Sequence, residues 1–234
     1  MIKIRPFATL GHADHGWLDA RHHFSFGSYV DRTRMGWGAI RVWNDDTIAA
    51  KSGFPPHPHQ DMEIITFVRT GAITHQDSLG NKGSTPAGDV QVMSAGTGIT
   101  HSEFNLEDEA TTLFQIWIHP DSTGQQPGWG SREFPRGDRS GRWIILASGE
   151  PDTDDALPIR ADAKVVAATI KAGQSVSWTT DPARHIYLVA PTGRIAVNGI
   201  EAQPRDGIAI TSESVVTVTA LDDAEVVLVD ARGK

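Results

Sequence analysis

Two short stretches concentrate the residues able to do metal chemistry. They are Pro55-Pro56-His57-Pro58-His59 and, later in the chain, Gly96-Thr97-Gly98-Ile99-Thr100-His101-Ser102-Glu103. Side chains of an extended strand alternate faces, and each residue rises by about 3.3 Å. His57 and His59 therefore share a face, and so do His101 and Glu103. Two such strands facing each other inside a barrel would bring three imidazoles and a carboxylate to one point, a donor set for a divalent transition metal. Either tripeptide alone is a weak signal. The pair, flanked by Gly and Pro turns on a strand-rich background, is a specific one. The chain has no cysteine, so disulfides, thiolate catalysis and Cys-ligated zinc are excluded. Three nitrogens and one carboxylate leave one or two coordination positions open, which distinguishes a reactive site from a closed structural one.

The elements that must carry these residues are strands. Eight of the ten histidines (His12, His15, His22, His23, His57, His59, His75 and His101) precede residue 102, so any imidazole chemistry belongs to the first half. Residues 1–35 read as irregular apart from a strand start at residues 1–5. Residues 36–43 read as a strand ended by an Asn44-Asp45-Asp46 turn. A Gly/Pro loop then delivers His57-Pro58-His59. Pro58 lacks an N–H for a ladder bond, so this strand belongs at an edge or a bulge. Residues 63–69, 90–93 and 112–118 continue the pattern. Short strands at intervals of about ten residues, with no amphipathic helix between them, indicate a β-sandwich or barrel.

Residues 120–141, rich in Gly, Pro, Gln and Arg, form the expected connection between halves. The run Arg132, Arg136, Arg139 and Arg142 reads as its solvent-facing side, and residues 149–155 as an acidic loop. From residue 165 the strand pattern repeats, without any His-x-His or His-x-Glu. The expected architecture is all-β: two antiparallel β-barrels in tandem, a metal-binding one over residues 1–135 and one without ligands over 136–234.

At 234 residues there is room for two such cores. A net charge of −8 argues against direct nucleic-acid binding, which needs clustered cations. No secretory apolar segment or membrane-length apolar run stands out, so the expected location is the cytoplasm.

Longer motifs narrow the reading. His57-Pro58-His59-Gln60-Asp61-Met62-Glu63, His75-Gln76-Asp77-Ser78-Leu79-Gly80-Asn81 and the run from Pro86-Ala87-Gly88-Asp89 to His101-Ser102-Glu103 strongly resemble the pirins. Within that family they are most similar to the bacterial quercetin 2,3-dioxygenase-like branch of the cupin superfamily. Arg41-Val42-Trp43-Asn44-Asp45-Asp46 and Gln115-Ile116-Trp117 look like that branch too. The resemblance implies a bicupin of the double-stranded β-helix, or jelly-roll, type, with metal only in the N-terminal barrel. It implies that His57, His59, His101 and Glu103 are the ligands. The wider cupin pattern instead takes its carboxylate from the position of Glu63, whose parity matches His57 and His59. Sequence geometry alone allows either carboxylate; the pirin pattern favours Glu103.

The implied activity is oxidative opening of a flavonol such as quercetin. The 3-hydroxyl gives its proton to Glu103 or to a metal-bound hydroxide, dioxygen adds to the heterocyclic ring, the ring opens, and carbon monoxide leaves. The resemblance implies iron(II), while the donor set also suits Mn, Co, Ni, Cu or Zn. The partners are then a small aromatic substrate and O2, with no membrane and no direct nucleic acid, and the chain is expected to be a monomer. The alternative is a non-catalytic metal-binding pirin that regulates a protein partner in response to the metal's redox state. Further candidates carry bland readings. His22-His23 reads as a surface loop rather than the barrel mouth, and the Asp77 to Asn81 turn explains Asp77 without a role beside His75. Phe24, Phe26, Trp37 and Trp43 read as core rather than as platforms for a flat substrate.

Overall fold

The computed structural model describes residues 1–151, 153 and 155–233. Strand follows strand; a single 3-10 turn, Phe7–Thr9, is the one helical piece among the described residues. Short runs rich in Val, Ile, Thr and aromatics, cut by Gly, Asn and Asp, favour this outcome because they fit a pleated surface and break at turns. Among the described residues, no helix is long and apolar enough to cross a membrane.

The strands build the expected pair of tandem antiparallel barrels, each made of a seven-stranded and a four-stranded sheet. In the first barrel the large sheet centres on Val90–Ser94, Glu63–Thr70, Thr111–Ile118 and Ile40–Ile48. Its small sheet runs Ser52–His59, Ile99–Asn105, Ala72–Asp77, Lys82–Pro86. The second barrel repeats the order. Its large sheet centres on Gly207–Ile210, His185–Thr192, Ala224–Ala231 and Ala163–Ile170, and its small sheet runs Ser175–Thr179, Val215–Ala220, Ile195–Val197, Ile200–Ala202.

The two large sheets pack face to face, so their strands are buried on both sides. One set of alternating residues, including Ile65, Phe67, Phe114 and Ile116, meets Val165, Ala167, Tyr187 and Val227 of the other sheet in one apolar cluster. The other set points into the barrel interiors. In the second barrel that set is aliphatic and continuous, with Val166, Leu188, Ile208, Val218, Val226 and Leu228 among its members. In the first barrel it splits into two clusters, one holding Ile48, Val68 and Leu113 and the other Ile64, Met93 and Ile99. Between them the inward positions are polar: Thr66 stands between Ile64 and Val68, and Gln115 between Leu113 and Trp117. That polar belt is where a site can form.

Three expectations fail for reasons of tertiary context. Asn44, Asp45 and Asp46 do not turn; they lie buried inside the strand Ile40–Ile48. Asp45 is held there by Arg69 and by Arg205 Nε at 2.6 Å. Residues 1–35 are not irregular either, since Gly11–Asp14 and Leu18–His22 extend the first large sheet. Ile2–Arg5 pairs with Gly207–Ile210 at the edge of the second large sheet, the place that Gly128–Arg132 takes beside Val90–Ser94 in the first. The basic run is not all exposed: Arg139 is fully buried and donates to Glu225 at 2.5 Å and to the carbonyls of Gly88 and Phe134 at 3.0 Å. Asp152 and Asp154 of the acidic loop lie outside the described residues.

Candidate metal centre

The two ligand-bearing strands do not face each other; they are hydrogen-bonded neighbours, with His101 directly opposite His57. Ser52–His59 is an edge strand, and its register slips between His101 and Glu103, where Pro55 and Pro56 supply no N–H to the ladder. Alternation along Ile99–Asn105 buries Ile99, His101, Glu103 and Asn105 on the inner face.

His57, His59 and His101 each bring a ring nitrogen to a group whose members lie within 4.8 Å of one another. His57 Nε2 and His101 Nε2 are 3.1 Å apart. Burial, reinforced by the neighbouring imidazoles, holds the His59 pKa down to about 4 and that of His101 to about 2. Both rings are therefore neutral near pH 7, as a metal ligand must be. His57 Nδ1 lies 2.7 Å from the carbonyl oxygen of Pro55, which can only accept, so Nδ1 carries the proton. The Nε2 of a neutral His57 then presents a lone pair toward His101. Ring nitrogens this close need a proton or a cation between them. The donor set fits a divalent transition ion.

Glu103 lines the same cavity but stands outside the group of three nitrogens. Its Oε1 accepts from Gln91 Nε2 at 2.7 Å and Thr66 Oγ1 at 3.1 Å, and its Oε2 from Gln115 Nε2 at 2.6 Å. Burial pushes its pKa up to about 7 despite those bonds. Glu63 is absent from the cavity wall. Asp61 takes a left-handed φ of 46°, which breaks the parity between His59 and Glu63, so that Ile64 faces inward instead. Glu63 accepts from Ser94 Oγ at 2.6 Å.

The cavity is about 160 Å³. Phe26, Phe54, Ile64 and Trp117 supply its apolar walls, and Asn44, Asp46 and Gln115 add polar groups. Trp117 meets His59 edge-on at 4.9 Å, and Phe26 meets Trp117 at 5.4 Å. Phe26 thus departs from the core reading, while Phe24 and Trp43 keep it; Trp37 donates from Nε1 to Ile186 O. His22 is no surface residue: it is buried, with Nδ1 2.8 Å from Asn44 Oδ1 and its ring beside Phe26. His23 is fully buried, 3.0 Å from the Tyr187 hydroxyl. Asp46 is the residue that the sequence reading missed. Its Oδ1 is buried without a partner, and burial beside Asp45 and Glu103 holds its carboxyl well above the usual range. The available signal was the spacing of Asn44, Asp46 and Ile48, which alternation places on one inward face.

A larger cleft of about 540 Å³ runs between the barrels, but its cations are paired: Lys171 with Asp223 at 2.7 Å, Arg136 with Glu225 at 3.3 Å, and Arg69 with Asp45. The imidazole-lined cavity is the better candidate.

Two cupin-type barrels packed face to face, with a histidine cluster in the first, define a bicupin. The chain belongs to the pirin family: residues 3–118 match the family model described as Pirin, and residues 145–231 that described as the quercetinase C-terminal cupin domain. It is 62% identical to a pirin-like protein of Caulobacter vibrioides, over 99% of this chain and 100% of that one. It is 43% identical to a quercetin 2,3-dioxygenase of Escherichia coli K12, over 98% of each. The crystal structure of the bacterial pirin YhhW from Escherichia coli in complex with nickel(II) superposes with a TM-score of 0.94 at 39% identity, covering 100% of both chains.

Proposed function

We propose that this pirin is a metal-dependent dioxygenase that opens the heterocyclic ring of a flavonol such as quercetin. Both atoms of dioxygen enter the product, and one ring carbon leaves as carbon monoxide. The observation that carries the reading is the convergence of three imidazoles and a buried carboxyl on one aromatic-walled cavity. His57, His59, His101 and Glu103 are assigned as the ligands, in a metal-bearing unit of residues 1–135, with residues 136–234 as the unit without metal. The metal, assigned as iron(II), supplies Lewis acidity and a meeting point for substrate and dioxygen when bound.

The remaining work falls to the chain's own side chains. Phe26, Phe54 and Trp117 present rings to a flat aromatic and keep water from its faces. Glu103 takes the proton of the substrate hydroxyl, and Gln91 and Gln115 hold its two oxygens in place while it does so. The name of the Escherichia coli relative supports this substrate class, and the nickel complex of YhhW supports a metal-holding site, whichever the metal.

The test is oxygen uptake and carbon monoxide release with quercetin, comparing iron-loaded wild type with His57→Ala. The expected result is turnover in the wild type that is lost with the ligand. No turnover with any metal overturns the enzyme and leaves the redox-responsive regulator.

A further inference from the structure

Behind the cavity, a chain of three side chains leads away from His101. His101 Nδ1 is 3.3 Å from His75 Nδ1, and His75 Nε2 is 2.9 Å from Asp77 Oδ2. All three side chains are buried or nearly so, with those of His75 and Asp77 having no exposed surface. Asp77 is tied down by the turn that follows it. Its Oδ1 accepts from the backbone N–H of Leu79 at 2.9 Å and of Asn81 at 3.1 Å, and its Oδ2 from Asn81 Nδ2 at 2.9 Å. Trp129 lies flat on His75, with centroids 4.8 Å apart and planes 7° from parallel. Gly83, the strand partner of His75, leaves room for that indole, since a Cβ there would come within 2.4 Å of it.

Donor and acceptor rules fix every proton along this chain. A carboxylate only accepts, so His75 must present Nε2–H to Asp77. The Nδ1 of a neutral His75 is then a lone pair, which obliges His101 to present Nδ1–H. His101 Nε2 is left as a lone pair, aimed at the lone pair of His57 Nε2 across 3.1 Å. Pro55 O imposes the same arrangement on His57 from the other side. Two lone pairs converging on one point are satisfied by a cation.

We infer that Asp77 and His75 are positioning residues that lock the tautomer and ring orientation of His101, so that its Nε2 is always offered to the metal. This rests on the metal reading given above. It extends to two links the arrangement in which a metal-bound imidazole donates its other N–H to an oriented acceptor. The turn from Asp77 to Asn81, which accounts for Asp77 locally, is then also the anchor of a ligand on the neighbouring strand.

Asp77→Asn is the sharpest test. An amide in place of the carboxylate turns an N–H toward His75 Nε2, which reverses His75 and forces the proton of His101 onto Nε2, in the manner known for a catalytic triad whose Asp becomes Asn. Long-range ¹H–¹⁵N NMR of the metal-free protein at pH 8 is expected to show Nδ1–H for His101 in the wild type and Nε2–H in Asp77→Asn. Nickel(II) affinity, measured by titration, is expected to fall about 10- to 100-fold in Asp77→Asn and in His75→Phe. His75→Gln, whose amide can accept from His101 and donate to Asp77, is expected to keep the tautomer and recover most of the affinity. An unchanged His101 tautomer in Asp77→Asn, or equal nickel affinity in all four proteins, overturns the inference. Wild type that takes up no nickel overturns the metal reading instead, while the NMR arm still decides whether the relay sets the tautomer.

Discussion

The small sheets of the two barrels run in the same order, and their second strands make the comparison. Ile99–Asn105 turns Ile99, His101, Glu103 and Asn105 inward; Val215–Ala220 turns Val216, Val218 and Ala220 inward. Topology is shared, and the inner face differs. The second barrel buries one continuous aliphatic cluster, each Leu, Ile or Val contributing about 1.5–3 kcal/mol. The first gives up that continuity for a cavity, and every polar group placed there needs a partner. Glu103 has three such partners, and His101 is held through His75 and Asp77. One barrel of this fold can therefore be devoted to packing while its twin is devoted to chemistry.

The sharpest way to break the comparison is to remove the chemistry. His101→Ala takes away one of three nitrogens together with the end of the relay, and is expected to abolish nickel(II) binding in a titration. Leu188→Ala acts on the other side of the comparison. It opens a cavity in the aliphatic barrel and is expected to cost about 2–5 kcal/mol in urea unfolding, with nickel affinity unchanged.

A third prediction concerns pH. In the metal-free fold Glu103 has its pKa raised from 4.5 to about 7. Between those values the folded state keeps a proton that the unfolded chain has released. The stability from this group is present below pH 4.5 and lost as pH rises through 7, about 3 kcal/mol in all. Glu103→Gln has no such group, so the stability difference between wild type and variant is expected to swing against the wild type over that window. The lowered histidines act in the opposite direction below pH 6.5, where unfolding lets them take up protons, but both proteins share them and they cancel. The smallest effect is expected from Asp46→Asn, which keeps the shape of a cavity-lining group while changing its hydrogen bonding. Metal content should hold, and KM for quercetin should change by about 2- to 10-fold.

Much of this was legible in the chain. Alternation in His57-Pro58-His59 and His101-Ser102-Glu103 was enough to bring the three nitrogens together, because each pair sits within one unbroken run of extended backbone. Parity failed for Glu63 because a left-handed residue, Asp61, intervenes and nothing local marks it. Asn44-Asp45-Asp46 looked like a turn because Asn and Asp favour turns when free. Inside this fold Asp45 is fixed by Arg69 and by Arg205, the latter 160 positions away, and no local pattern can report such a partner. The same holds for Ile2–Arg5, whose pairing partner Gly207–Ile210 lies near the other end of the chain. The relay from Asp77 to His101 was half visible as His75-Gln76-Asp77. Its other half depends on the register between Ala72–Asp77 and Ile99–Asn105.

The most direct test of the central claim is anomalous diffraction from crystals of nickel-loaded protein. The expected result is one peak per chain, within bonding distance of His57, His59 and His101, and none in the second barrel. A peak elsewhere, or none at the three imidazoles, would contradict the account.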